Sequence, residues 1–145
     1  MTESESINKF KRFCRQEFQN LANQLNLKEV IQPKRKYENP YKISFKNKDY
    51  FFQFESISYG FRLGTTFGKS SRIYSFSVNN AICLIKGRAE ADRYNDTCPS
   101  GYQANLKRDL TILCENLSFF TQLDDHQKIL NLLEIQKENS RLYSK

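Results

Sequence analysis

The chain has 145 residues, 39% of them hydrophobic and 14% aromatic, with twelve Phe, eight Tyr and no Trp, which suits one domain, residues 1–145, built on a single aromatic core. No apolar run approaches the roughly 20 residues of a membrane-spanning helix, and the polar, acidic start (Met1 to Asn8) lacks the basic residues and apolar stretch of a secretory signal, so a cytoplasmic protein without a membrane partner is expected. The net charge of +7 comes almost entirely from the first third, where eleven Lys and Arg face five Glu between Met1 and Lys48, an asymmetry that points to an acidic protein surface or to nucleic acid as partner.

In chain order, a first helix is predicted from about Ser4 to Asn26. Ile7, Phe10, Cys14, Phe18 (with Leu21) and Leu25 step by three and four along one face, and Thr2 or Ser4 is placed to cap the start. Leu27 to Pro40 reads as a connector, because Pro33 and Pro40 bar it from a helix interior or a central strand. From Tyr41 to Val78 apolar residues fall on every second position, the period of a half-buried antiparallel sheet. Strand one is Tyr41 to Lys46, strand two Tyr50 to Ile57, strand three Tyr59 to Phe67 and strand four Arg72 to Val78. Turns fall at Asn47-Lys48-Asp49 and Gly68-Lys69-Ser70-Ser71, and Phe51, Phe52 and Phe54 imply burial on both faces of strand two. Ala81 to Ile85 fits a fifth strand or a short helix equally well. The polar stretch Gly87 to Gly101 reads as a long surface loop. Two helices close the chain. Leu106, Leu110, Leu113, Leu117 and Phe120 form the stripe of one, and Ile129, Leu130, Leu133 and Ile135 follow a cap at Asp124 or Asp125 in the other. The expected architecture is α+β, an antiparallel sheet of four or five strands flanked by an N-terminal helix and two C-terminal helices, with one sheet face covered and the other partly open.

Motifs for catalysis are weak. The single histidine, His126, has no sequence neighbour to orient it as a base and reads as a surface residue. The four cysteines lack CxxC spacing, which argues against zinc or a redox motif; Cys14 and Cys114 fall on apolar helix faces, Cys83 in an apolar run, and only Cys98, beside Pro99, reads as exposed, with a disulfide or redox role as its alternative. A carboxylate-and-lysine nuclease site using Asp49 and Glu55 is conceivable, but charges alternating outward on strands account for both residues. Gly64 to Ser70 ends like a phosphate loop, yet its first glycine is one residue too close. Tyr59, Phe61 and Phe67 with Arg62, Lys69 and Arg72 loosely match an aromatic, basic sheet face for nucleic acid; the same rings read more simply as the core side of the sheet.

The amphipathic N-terminal helix leading into the aromatic meander Tyr41 to Val78, the polar stretch Gly87 to Gly101, and the closing helices with Leu106-Lys107-Arg108-Asp109-Leu110 and Leu113-Cys114-Glu115-Asn116-Leu117 together resemble the small cytosolic immunity proteins of bacterial contact-dependent and polymorphic toxin systems. That resemblance implies a non-enzymatic protein that binds a cognate toxin domain and neutralises it by occlusion, with no cofactor and no metal. The positive charge then implies an acidic patch on the toxin. The partner-binding residues expected are the loop cations Lys34, Arg35 and Lys36, Arg62 and Arg72 on the sheet, and Arg88 and Arg93 in the long polar stretch. The alternative is a nucleic-acid-binding module using the same cations on phosphates, separable by its steeper salt dependence. A weaker third reading is a small-molecule enzyme with an aromatic pocket between sheet and helices.

Overall fold

A computed structural model describes residues 2–31, 38–57, 62–72 and 74–143. Helix α1 (Glu3–Gln24) begins with a capping box: the Thr2 hydroxyl accepts from the Glu5 N–H at 3.1 Å, and the Glu5 carboxylate accepts from the Thr2 N–H at 3.2 Å. Glu3 and Glu5 also suit the positive pole of the helix. The helix stops where Asn26 takes a left-handed φ of 55°. The Leu27 N–H then returns to the Ala22 carbonyl at 2.8 Å and the Asn26 N–H to the Asn23 carbonyl at 3.3 Å, so an asparagine closes the helix in the manner usual for glycine.

That reversal delivers a two-residue strand, β1 (Lys28–Glu29), inside the expected connector. It is the edge of a five-stranded antiparallel meander, β1-β2-β3-β4-β5, with β2 (Lys42–Lys46), β3 (Tyr50–Ile57), β4 (Arg62–Lys69) and β5 (Phe76–Ser77). The β2–β3 turn needs no glycine because Asn47 replaces it: its side-chain oxygen accepts from the N–H groups of Asp49 (2.8 Å) and Tyr50 (2.9 Å), and its amide donates to the Leu25 carbonyl at 3.0 Å.

Three expectations are corrected downstream. Strand four shrinks to β5, and Val78 leaves it for helix α2 (Val78–Lys86), because the Ser77 hydroxyl accepts from the Asn80 N–H at 3.2 Å and caps a helix at the strand's end. Ala81 to Ile85 therefore lies in a helix. Gly87, at φ 102°, turns the chain into helix α3 (Arg88–Asp96), so most of the expected surface loop is helical. The closing pair is three helices, α4 (Tyr102–Glu115), α5 (Leu117–Thr121) and α6 (His126–Tyr143), the last capped by Asp125, whose carboxylate accepts from the Gln127 N–H at 3.0 Å. Among the described residues, no helix is long and apolar enough to cross a membrane.

All helices that touch the sheet pack on the face bearing Ile43, Phe45, Phe52, Phe54, Leu63 and Phe67, each buried. Phe18 from α1 lies 4.9 Å from Phe45 and 5.0 Å from Phe54, ring centre to ring centre. Phe120 from α5 lies 4.8 Å from Phe67, which in turn meets Phe76 at 5.9 Å. This aromatic row supplies large buried area per residue, the dominant favourable contribution to folding.

The opposite face carries Lys42, Ser44, Lys46, Phe51, Gln53, Glu55, Arg62, Gly64 and Thr66, none fully buried. The two glycines of β4 are unlike. A Cβ on Gly64 would meet nothing within 4 Å, whereas one on Gly68 would fall 2.5 Å from the Tyr74 carbonyl oxygen and 2.8 Å from the Phe51 ring, which covers it from the paired strand. Gly68→Ala is expected to lose about 1–3 kcal/mol through backbone displacement, while Gly64→Ala stays neutral or gains up to about 1 kcal/mol by restricting the unfolded chain. Urea melts of the two variants check the contrast, and equal losses would refute it.

Candidate functional site

The structure scatters the residues singled out from sequence. Lys34, Arg35 and Lys36 lie outside the described residues, as do Tyr59 and Phe61. Arg62 opens β4 on the uncovered sheet face and is exposed. Arg88 and Arg93 sit on α3, in the helical layer on the other side. Arg88 donates to the Asn139 side-chain oxygen at 2.5 Å and pairs with Glu138 at 3.5 Å, tying α3 to α6, so it holds structure together instead of presenting a bare cation. Arg93 is exposed and pairs one turn back with Glu90 at 3.7 Å. Phe67 is wholly buried, which removes it from any nucleic-acid platform. Asp49, in the turn just before β3, and Glu55 within β3 are six residues apart, roughly 20 Å by strand rise, and cannot share one metal ion. Among the described residues no group of three His, Cys, Asp or Glu could hold a metal.

Arg72 is the expected residue that the fold places in a concave site. A groove of about 410 Å³ lies between the β4–β5 turn and the first turns of α6. Phe76 and Leu123, both buried, form its floor with Ile129 and Leu133. Tyr74 and Leu130 line it while remaining 43% and 42% exposed. Lys69, Arg72, Asp124 and His126 make the rim. Lys69 pairs with Asp124 at 2.9 Å, but the Asp124 side chain is 95% exposed, and so solvated a pair contributes little and exchanges readily. The strand side is fixed to α6 by the Gln136 amide, which donates to the Ser75 carbonyl at 2.7 Å. Lys128 is turned away from service: its ammonium donates to the Gln122 carbonyl at 2.7 Å and the Phe119 carbonyl at 3.3 Å, and partial burial draws its pKa below the usual lysine value against the opposing pull of Asp125.

The second built site is buried and polar. Asp109 on α4 is 1% exposed. One carboxylate oxygen accepts from the Thr65 hydroxyl of β4 at 2.7 Å, the other from the Tyr94 hydroxyl of α3 at 2.5 Å. The Arg108 guanidinium lies 3.8 Å over the Tyr94 ring and donates to the Tyr94 carbonyl at 2.8 Å, while its Nε stands 3.9 Å from Asp109. Burial pushes the Asp109 carboxyl above the ordinary carboxylate range, and the two hydroxyl bonds and Arg108 offset only part of that. Burial first, then the Asp109 charge, keeps Tyr94 a phenol. One turn earlier on α4, Asn105 accepts from the Leu63 N–H at 3.0 Å and donates to the Pro99 carbonyl at 2.6 Å and to Cys98 at 3.4 Å. It thereby covers part of β4 that the short β5 leaves unpaired.

With both oxygens of the buried Asp109 engaged, this cluster is a clasp that fastens α3 and α4 to the sheet. Its signal in the sequence was a carboxylate three residues after Leu106 and four before Leu113, on the apolar face of a helix where charge is costly. The cysteines are corrected as well: Cys98 is half-buried against Asn105, and Cys114 is the exposed one. Cys14 is buried as expected, and burial pushes its thiol up to about 12. No family model, no curated protein and no solved structure matches the chain.

Proposed function

We propose that this protein works by binding rather than by turnover, as an immunity-type inhibitor that docks on a cognate toxin domain in the cytoplasm and occludes it. The observation that carries the reading is the groove in which Tyr74 and Leu130 stand half exposed within a polar rim that carries the cations Lys69 and Arg72 beside His126 and Asp124. Tightly held interfaces centre on a few aromatic or aliphatic anchors ringed by polar groups, and charges at the rim steer encounter with an oppositely charged partner. The rigid aromatic core and the Asp109 clasp support it, since a preordered surface loses less entropy on association. The rim cations fit an acidic patch on the toxin.

The test is affinity purification of the tagged protein from its own cells at moderate salt with nuclease present. A stoichiometric protein partner, toxic when expressed alone and tolerated with this chain, supports the reading. Loss of all bound material to the nuclease overturns it and favours nucleic-acid binding. Against such a partner, Leu130→Asp is expected to weaken binding about 30-fold or more, and Arg72→Glu to slow association most at low salt. Both variants should melt within a few degrees of the parent, as both side chains are exposed.

A further inference from the structure

We propose that a second concavity, at the β1 edge of the sheet, binds a pyrophosphate-type anion. In the β1–β2 register Lys28 stands directly opposite Lys46. The alternation of β2 places Lys46 on the uncovered face, since Phe45 beside it is in the core, and its cross-strand partner Lys28 shares that face. Like charges directly opposite each other across two strands destabilise the pair. A short edge strand can carry any polar residue at that position, so two ammonium groups there are a cost to folding that asks for a counter-charge.

Among the described residues that line the concavity, no uncommitted carboxylate supplies one. One carboxylate, Glu29, does line the concavity, but Arg15 of α1 holds it through two bonds of 2.7 and 2.9 Å. That bidentate bond keeps the Glu29 carboxyl below its ordinary range and leaves it committed. Asp49 lies in the neighbouring turn but does not line the concavity. None of Lys28, Lys46 and Lys48 enters an ion pair among the described residues.

The shape is that of a cradle. Lys28, Lys46 and Lys48 surround a hollow of about 480 Å³ whose far wall is Ser70 and Ser71 of the β4–β5 turn. That wall is anchored: the Ser70 hydroxyl donates to the Asn47 carbonyl at 2.7 Å and its N–H to the Asp49 carbonyl at 3.1 Å, stitching the two turns together. Three ammonium groups, one from β1 and two from the end of β2 and the turn after it, with the Ser71 hydroxyl opposite, suit a multiply charged, oxygen-rich anion. A single carboxylate would neutralise one lysine and leave the Lys28–Lys46 repulsion in place. Lysine ammonium groups bind phosphate as mobile point charges, so no planar fork is needed.

The experiment uses the full chain at fixed, low ionic strength, with inorganic pyrophosphate titrated by calorimetry and followed by thermal melting. Saturable binding is expected, with a melting midpoint raised by about 3–5 °C at ten times Kd. Lys28→Gln and Lys46→Gln should each bind about tenfold more weakly and, without ligand, melt at or above the parent temperature because the opposed charges are gone. ADP in a parallel arm separates sources: tighter binding than pyrophosphate assigns the phosphates to a nucleotide, equal or weaker binding to the free anion, and either supports the site. The proposal is overturned if sulfate at matched ionic strength gives the same shift, if the variants bind as the parent does, or if they melt below it.

Discussion

Asp109→Leu is expected to destabilise the protein by about 3 kcal/mol, because leucine fits the volume but leaves the Thr65 and Tyr94 hydroxyls buried without an acceptor, at about 1–3 kcal/mol each. For a chain of this length that corresponds to a fall in melting temperature of roughly 10 °C. Asp109→Asn should cost much less, since an amide oxygen still accepts one hydroxyl and the other hydroxyl can rotate to accept from the amide nitrogen. The pH dependence separates the two causes. In the unfolded chain the Asp109 carboxyl titrates near its ordinary value of 3.8, and in the folded chain burial raises it. Between those two values the folded protein keeps a proton that the unfolded chain has released, so this residue's contribution to stability is greatest at low pH and declines as pH rises through the raised value. Urea melts from pH 4 to pH 8 should show that decline in the parent and its absence in Asp109→Asn. A parent and an Asn variant with parallel pH profiles would mean that the carboxylate is not desolvated as the clasp requires.

Phe18→Ala is the second large effect, a loss of about 3–5 kcal/mol. Phe18 is wholly buried and its ring meets Phe45, Phe52 and Phe54 within 5.8 Å, so it is the point at which α1 is joined to two strands. The surrounding rings belong to paired strands and cannot collapse into the space without disturbing the ladder. Against a typical total of about 5–15 kcal/mol, such a loss leaves a marginal protein. Thermal melting by circular dichroism checks it, with Phe119→Ala as the comparison. Phe119 is only partly buried and should cost distinctly less. Similar losses for both would show that α1 is not locked to the sheet through Phe18.

The groove and the lysine cradle bear on function in separate ways. The groove pairs exposed apolar side chains with a charged rim, which is what the proposed protein partner would require. The cradle gathers three lysines and two serines, with Glu29, Val30 and Asn47 completing its lining. The two lie on either side of the β4–β5 turn, which contributes Lys69 and Arg72 to one and Ser70 and Ser71 to the other. Substitutions in one can therefore be tested for effects on the other.

Periodicity within a single stretch of chain determined much of this protein. The three-and-four spacing from Ile7 to Leu25 specified α1. The alternation through Ile43, Phe45, Phe52, Phe54, Leu63 and Phe67 specified the core face of the sheet, and β3 occupies the residues expected for it. These elements were legible because each buries a face of its own, which writes the period into the sequence. Tertiary structure decided the rest. A two-residue strand such as β1 has no period to read, and it exists because Asn26 reverses the chain beside Lys46. Helix α3 is polar apart from Ala89, Ala91 and Tyr94 and is held by bonds to residues from Asn79 to Asn139 that are distant in sequence. The apposition of Lys28 with Lys46, of Arg72 with Leu130, and of Asp109 with Thr65 is a matter of strand register and helix docking, and a side chain's chemistry says nothing of its neighbour until the chain has folded back on itself.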